Sequence, residues 1–77
     1  MHSKLLVKME NSENSLEKVM ATIRQSDFQV RNLNARLSLD ETLFFLTVEV
    51  EGKTSSATLA DKIVTMQEVK AVESLGA

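Results

Sequence analysis

Apolar residues recur at every second position in two stretches of the chain, which is the spacing of a strand with one buried face. In residues 4–10 the alternating apolar positions are Leu5, Val7 and Met9. In residues 43–51 they are Phe44, Leu46, Val48 and Val50, with Phe45 on the opposite side. We therefore predict strands over residues 4–10 and 43–51.

Two other stretches carry apolar residues at the three- and four-residue spacing of an amphipathic helix. The first stripe is Leu16, Val19, Met20 and Ile23, and the second is Leu59, Ile63 and Met66. Asn14 and Glu17 have the spacing of a capping box, so the Asn14 side chain is predicted to cap the first helix. Asp27 is the predicted left-handed residue after that helix, and residues 54–56 supply hydroxyl caps for the second helix.

The two remaining strands have less regular patterns. In residues 28–38 the apolar positions change sides, from Phe28 and Val30 to Leu33, Ala35 and Leu37. We expect a bulge near residues 31–32, where one extra residue would change the parity. Residues 68–75 predict a short last strand whose inward-facing residues are Val69, Ala71 and Leu75.

The predicted order of strand, helix, strand, strand, helix, strand indicates an α+β fold for residues 1–77, taken as a single domain. With right-handed crossovers it gives a ferredoxin-like βαββαβ sandwich, a four-stranded antiparallel sheet with both helices on one face. The second strand then lies at an edge, where Leu33 and Leu37, together with Phe45, would add apolar surface for a partner. The alternative is that the parity change returns some of these side chains to the core.

Composition narrows the range of possible functions. The 77 residues are 43% hydrophobic and 26% charged, the balance of a soluble globular domain, and the net charge of −2 offers no basic field for nucleic acid or acidic lipid. The chain has no cysteine and one histidine, His2, which excludes disulfides, thiol catalysis and a histidine metal site. The apolar run before Lys8 is too short for a signal peptide, so we expect a cytoplasmic protein.

The first loop and the start of the first helix carry a row of amide and hydroxyl side chains, namely Asn11, Ser12, Asn14 and Ser15. Unpaired backbone N–H groups at a helix N-terminus can hold a carboxylate, and these side chains could orient a small amino acid there. The alternative is that they are only the turn and the cap that a helix requires. RNA recognition by this fold would need more aromatic residues than Phe45, and soft-metal transport would need a Cys-x-x-Cys pair in this loop.

Residues 10–19, 24–33 and 69–75 resemble the ACT domain, and within it the small regulatory subunit of acetolactate (acetohydroxyacid) synthase. The pattern of that subunit is Asn-x-x-Gly-x-Leu-x-x-Val, followed by Arg-Gly-Phe/Tyr-Asn-Ile. The matching residues here are Asn11, Leu16, Val19, Phe28 and Val30. The resemblance covers nearly the whole chain.

Three departures from the pattern bear on regulation. Asn14 stands in place of the loop glycine, Asp27 in place of the glycine after the helix, and Gln29 in place of the second asparagine. In valine-sensitive members these positions line an effector site at the dimer interface. The resemblance therefore implies an effector site at Asn11, Asn14 and Gln29, with valine feedback weakened because the Asn14 side chain would occupy ligand space.

The resemblance implies a regulatory subunit that binds and activates the large catalytic subunit of acetolactate synthase in valine, leucine and isoleucine biosynthesis. The sequence ends just after the fourth predicted strand, so it is similar to the short isozyme II type. The resemblance implies that thiamine diphosphate, magnesium and FAD are bound by the large subunit. In this chain we expect no cofactor, no metal and no catalytic residue. A homodimer through the second strand or first helix is expected. Two alternatives are a free-standing ACT domain that senses an amino acid for another enzyme or regulator, and an interaction module on the open sheet face.

Overall fold

The strands and helices follow one another in the order that the hydrophobic pattern predicts. A computed structural model describes residues 2–76. The elements are β1 (His2–Glu10), α1 (Ser15–Gln25), β2 (Gln29–Leu37), β3 (Leu43–Glu51), α2 (Ser56–Val64) and β4 (Val69–Gly76). The strands pair antiparallel in the order β2-β3-β1-β4, which confirms the ferredoxin-like βαββαβ fold with β2 at an edge.

The core lies between the helices and the inward-facing side of β1 and β3. Alternate residues of both strands are buried against Val19 and Ile23 of α1 and Leu59 and Ile63 of α2. Each such aliphatic side chain contributes roughly 1.5–3 kcal/mol on burial. The central strands and the stripe of α1 therefore confirm the pattern, because alternation and helical spacing put their apolar residues in one common layer. The second stripe is correct at Leu59 and Ile63, whereas Met66 packs against the core from beyond the end of α2.

The predicted bulge in β2 is confirmed. The pairing of β2 with β3 shifts register between Val30 and Asn32, so that Arg31 is the extra residue. Beyond the bulge Leu33 pairs with Val48 and Leu37 with Phe44, which places both leucines on the helix side of the sheet. They remain 36% and 40% exposed because β2 is the edge strand. The parity change therefore turns the leucines toward the helix side without burying them.

The inward positions predicted for β4 are correct at Val69 and wrong beyond it. The pairing of β4 with β1 shifts at Lys8 and Met9, so that Val69 lies opposite Met9 while Ala71 lies opposite Lys8. The intervening residue, Lys70, has no counterpart in β1. This irregularity moves Ala71 and Leu75 to the open face of the sheet, because one extra residue reverses the side of every later position.

The connections around the helices confirm two of the three predicted end signals. Asp27 is left-handed with φ 64° as expected, and the Ser55 hydroxyl accepts a hydrogen bond of 3.2 Å from the Ala57 amide at the start of α2. The capping prediction for Asn14 is wrong, since its side chain makes no cap hydrogen bond. Its φ of 61° is the reason, because a capping side chain reaches the first-turn amides from extended backbone.

Candidate functional site

The connection between β1 and α1 is tied to the turn between β2 and β3. The Asn11 amide nitrogen donates a hydrogen bond of 2.9 Å to the carbonyl of Thr42. The Asn11 side chain donates another, also of 2.9 Å, from Nδ2 to the carbonyl of Glu41. Asn11, one of the predicted effector residues, thus fixes the position of a neighbouring turn, which leaves its side-chain oxygen as the group that could face a ligand.

Asn14 and Ser15 form the entrance to α1. The Asn14 side chain is exposed, and the backbone carbonyl of Asn14 accepts a hydrogen bond of 3.0 Å from the backbone amide of Lys18. Ser15 is only 1% exposed, and its hydroxyl has no hydrogen-bond partner among the described residues. An unpaired buried hydroxyl costs roughly 1–3 kcal/mol, so this group is an available hydrogen-bonding position at the N-terminus of α1.

Gln29 lies at the other end of α1. The helix has 11 residues and is therefore about 17 Å long at a rise of roughly 1.5 Å per residue. Asn14 precedes the helix, whereas Gln29 begins β2 after it. Within one chain the structure brings Asn11 and Asn14 to the same loop and keeps Gln29 apart from both.

Gln29 instead lines a cleft of about 810 Å³ between the end of α1, the start of β2 and the loop that leads to α2. The lining residues are Ser26, Asp27, Gln29, Arg31, Glu51, Gly52, Lys53 and Thr54. The sequence analysis missed this cleft because its two halves are twenty or more positions apart in the chain. The signal that could have found it is the bulge, which lets Arg31 reach Glu51 across the strand pair.

An ion pair between Arg31 and Glu51 forms part of the wall of this cleft. The Arg31 guanidinium donates from both Nε and Nη2 to Oε1 of Glu51, and His2 Nε2 lies 3.4 Å from Oε2 of the same carboxylate. The hydrogen bond from Arg31 is the main reason that the pKa of Glu51 is lowered, with a further contribution from His2. Glu51 is thus held as a carboxylate that already has Arg31 as its cationic partner.

A second ion pair holds α1 against the turn before β4. Lys18 Nζ lies 2.8 Å from Oε2 of Glu68, whose carbonyl also accepts a hydrogen bond of 2.8 Å from the Glu10 amide. The hydrogen bond between the two side chains raises the pKa of Lys18 and lowers that of Glu68. The start of α1 and the last turn before β4 are therefore coupled near the predicted effector loop.

A family model of the ACT domain matches residues 11–72, which is most of the chain and includes the loop of Asn11 and Asn14. The chain belongs to the ACT domain family. No curated protein matches it in sequence.

Solved structures show where this ACT domain fold recurs. The ACT domain of GTP pyrophosphokinase from Chlorobium tepidum is 19% identical, with a TM-score of 0.81 and coverage of 97% of both chains. A formyltetrahydrofolate deformylase from Pseudomonas putida KT2440 is 12% identical with a TM-score of 0.82, and this chain covers 29% of it. The C-terminal domain of the MgtC protein from Mycobacterium tuberculosis is 11% identical, with a TM-score of 0.70. At these identities the likeness concerns the fold alone.

Two exposed apolar surfaces of this ACT domain are relevant to partners. The first is the β2 edge with Leu33 and Leu37. The second is the open sheet face, where Phe45 and Leu75 are 37% and 39% exposed and Leu6 is half-buried. The expectation of a partner stays a prediction, and these are the surfaces on which it would act.

The part of the chain that the structure describes contains neither a metal-binding cluster nor a helix that could span a membrane. Within residues 2–76 no three histidine, aspartate or glutamate side chains lie close enough together to hold a metal ion. Over the same residues, neither helix is long and apolar enough to cross a membrane.

Proposed function

We propose that this ACT domain is the regulatory small subunit of acetolactate synthase, which binds and activates the large catalytic subunit in branched-chain amino-acid biosynthesis. The observation that carries the proposal is the position of the motif shared with that subunit. Val19 and Phe28 of the motif are buried in the core, while Asn11 and Asn14 form the loop before α1. The chain would act in the cytoplasm and contribute no catalytic residue of its own.

Activation by such a subunit is conformational. A small subunit that binds the active arrangement of the large subunit more tightly than the inactive one shifts the population toward the active arrangement. The large subunit would supply thiamine diphosphate, magnesium and FAD, and this chain would supply contact surface. The exposed apolar side chains of β2 and of the open face support this role, because they are surface that association would bury.

We further propose a homodimer through β2, with the neighbouring face of α1 adding contacts. An edge strand presents unpaired backbone N–H and C=O groups, so two copies of β2 can pair across a two-fold axis into a continuous sheet. Leu33 and Leu37, on the helix side of that edge, would pack against their symmetry mates. The edge geometry and the apolar side chains support the same interface.

This pairing also accounts for the separation of the predicted effector residues. In an antiparallel pair of β2 strands, the start of one strand lies beside the end of the other. The end of β2 leads into the turn that Asn11 holds. Gln29 of a second copy would therefore lie toward the end of the sheet that carries Asn11 and Asn14. An effector site that contains all three residues would then require two chains.

We propose that an amino-acid effector at this interface binds weakly and that valine feedback is reduced. The unpaired Ser15 hydroxyl at the N-terminus of α1 supports a polar ligand. The exposed Asn14 side chain, where the related subunits have glycine, occupies space beside it. Replacing Asn14 with glycine should therefore increase the response to valine in an acetolactate assay, and an unchanged response would contradict this explanation.

The test of the proposed partnership is co-purification. This chain is co-expressed with a tagged large subunit of acetolactate synthase, and the complex is measured by affinity capture followed by size exclusion. A different thiamine-diphosphate enzyme with the same tag serves as the control. We expect stoichiometric co-elution with the acetolactate synthase subunit only, and elution of two separate species would contradict the proposal.

The alternative is a free-standing ACT domain that senses a small amino acid for another enzyme or regulator. The similarity in fold to the ACT domain of GTP pyrophosphokinase and the unpaired Ser15 hydroxyl favour this candidate. Calorimetry of the isolated chain with valine, leucine, isoleucine and serine separates the two functions. Micromolar binding would support the sensor, whereas no binding together with activation of a large subunit would support the regulatory subunit.

A further inference from the structure

The turn between β2 and β3 presents a leucine to solvent on backbone that is held in place. The Leu39 side chain is fully exposed. Oδ1 of the next residue, Asp40, accepts hydrogen bonds of 2.8 Å from the Ser38 hydroxyl and 2.7 Å from the Thr42 hydroxyl. The Glu41 amide donates a hydrogen bond of 3.0 Å to the carbonyl of Ser38. The turn is therefore ordered within the single chain.

None of these hydrogen bonds uses the side chain at position 39. Single exposed apolar residues are common on protein surfaces and need no explanation by themselves. Leu39 differs because the turn that carries it is already fixed, and Asn11 holds the turn from the next loop through the carbonyl of Glu41 at 2.9 Å. Burying a preorganised side chain against a partner costs little conformational entropy. Leu39 is thus suited to act as an apolar contact.

The cleft beside Gln29 can accommodate such a side chain. Its volume is about 810 Å³, and its four charges, Asp27 and Glu51 against Arg31 and Lys53, sum to zero. Arg31 and Glu51 already neutralise each other through hydrogen bonds. The aliphatic parts of Gln29, Arg31 and Lys53 can cover an apolar group while their polar ends remain in water.

Pairing of two β2 edges brings the turn of one copy to the cleft of the other. The cleft residues 26–31 surround the start of β2, and the turn follows its end. In a two-fold antiparallel pair, the end of one strand lies beside the start of its mate. With the axis near Leu33 or Asn34, Leu39 lies opposite residues 27–29 of the second copy.

One pair of charges is complementary across this contact. Among residues 2–76, neither the Lys53 ammonium in the cleft nor the Glu41 carboxylate in the turn makes a hydrogen bond or an ion pair. The two can pair between copies, although Asp27 in the same cleft is a like charge for Glu41. Charges arranged in this way favour one orientation more than they add affinity. The apolar contact of Leu39 therefore supplies the affinity.

We propose that Leu39 of one copy occupies the cleft of a second copy, so that two equivalent contacts close the homodimer at both ends of the paired β2 strands. The inference rests on the proposed homodimer through β2 and adds a site that is complete only when the second copy contributes its turn. A dimer held by the β2 edges alone would not need Leu39.

Sedimentation equilibrium tests the contribution of Leu39. Leu39→Ser should raise the dissociation constant of the dimer at least about tenfold, because two leucine side chains per dimer return to water. Leu39→Met keeps an apolar side chain and should change it by less than about threefold. Val64→Ser, at the end of α2, is the matched control and should leave it unchanged. Leu39→Ser should not lower the melting temperature of the dilute monomer, in which this side chain is exposed.

Cross-linking locates the contact, because the chain has no cysteine of its own. The Leu39→Cys protein is mixed with the Gln29→Cys protein and treated with a short bismaleimide reagent, which spans gaps that a disulfide cannot. We expect mixed cross-linked dimers by intact mass. Leu39→Cys alone should cross-link little, because the two-fold axis places the two turns at opposite ends of the interface. Leu39→Cys mixed with Thr58→Cys, on the exposed side of α2, is the control.

The possible failures can be told apart. A wild type that stays monomeric at the highest concentration would contradict the proposed homodimer and this contact with it. A dimer of unchanged affinity in Leu39→Ser, or one that links position 39 to position 39 as readily as to position 29, would overturn the contact alone. None of these readouts involves acetolactate synthase, so they are independent of the proposed activation.

Discussion

Two left-handed residues determine how the chain enters and leaves α1. Asn14 has φ 61° and Asp27 has φ 64°, in the region that glycine adopts at least cost. In the small-subunit pattern that the sequence resembles, both positions are glycine, and this chain keeps a left-handed backbone at both while it adds a side chain. Asparagine and aspartate fit here because their short polar side chains tolerate this conformation better than alanine does.

The backbone of Asn14 can be tested by two substitutions. Asn14→Ala should lower the free energy of unfolding by about 1 kcal/mol, the cost of a left-handed Cβ without local polar compensation. Asn14→Gly should leave it unchanged within about 0.5 kcal/mol. Urea denaturation measures both, with Asn34→Ala in β2 as an exposed control. Equal stability of the alanine and glycine variants would contradict the assigned conformation.

Glycine is required at position 52 because the ring of Phe28 lies too close for a side chain there. A Cβ at this position would lie 2.6 Å from Cδ1 and 2.7 Å from Cε1 of Phe28. Gly52→Ala should therefore destabilise the protein by roughly 1–3 kcal/mol, the usual cost of overpacking.

The double variant with Phe28→Leu separates this clash from a backbone effect. Removing the ring edge should make the cost of Gly52→Ala smaller than in the wild type, a coupling that thermal denaturation of the four proteins of the cycle detects. Additive costs of the two substitutions would contradict the contact.

At the level of elements, the Lys18–Glu68 pair joins α1 to the turn before β4. The pKa of Glu68 is lowered by the hydrogen bond from Lys18, so its stabilising contribution is present above the ordinary glutamate value of 4.5 and is lost as pH falls through the folded pKa. The pKa of Lys18 is raised, so its contribution is present below the ordinary value of 10.5 and is lost as pH rises through the folded pKa.

Melting temperatures of the wild type and Lys18→Met across pH measure this contribution. The wild type should melt higher between these two limits, and the difference should shrink below pH 4.5 and above pH 10.5. The comparison removes the effects of Asp40 and Glu51, whose lowered pKa values are common to both proteins. A difference that stays constant down to pH 3 would contradict the assignment.

The edge strand makes a separate prediction about association. Leu33→Lys together with Leu37→Lys should shift a homodimer toward monomer in sedimentation equilibrium, because two charges would face their symmetry mates. Phe45→Lys is the matched control, since that side chain is similarly exposed on the other face of the sheet. Dissociation by Phe45→Lys with no effect of the leucine changes would place the interface on the open face.

The sequence predicted those elements whose apolar residues follow one period from end to end. The alternating positions of β1 and β3, the stripe of α1 and the positions Leu59 and Ile63 of α2 are correct because these side chains lie against the core. The prediction failed at Ala71 and Leu75, since the extra residue at Lys70 reverses the strand's parity without a glycine or proline to mark it. The bulge at Arg31 could be predicted because the apolar residues before it and after it occupy alternate positions of opposite parity.

The candidate sites were less predictable for a different reason. Asn11 and Asn14 are close in sequence, so their shared loop could be predicted, whereas the cleft joins residues 26–31 to residues 51–54 through tertiary packing. The sequence also could not predict that the Ser15 hydroxyl has no hydrogen-bond partner. A serine at the start of a helix usually accepts a hydrogen bond from a first-turn amide. Local chemistry predicts local sites, and it cannot show which distant side chains remain without a partner.

For the molecule as a whole, the described fold leaves apolar side chains exposed on two surfaces. The helices cover one side of the sheet, leaving the β2 edge and the face around Phe45 open. Under the proposed function, association with the large subunit would bury this surface, and the reaction would take place on that subunit.

Whether this chain activates a large subunit of acetolactate synthase can be measured by titrating it into the purified large subunit and following the rate of acetolactate formation. We expect the rate to rise and reach a plateau near equimolar amounts, while this chain alone forms no acetolactate. A rate that stays at the level of the large subunit alone, at saturating amounts of this chain, would contradict it.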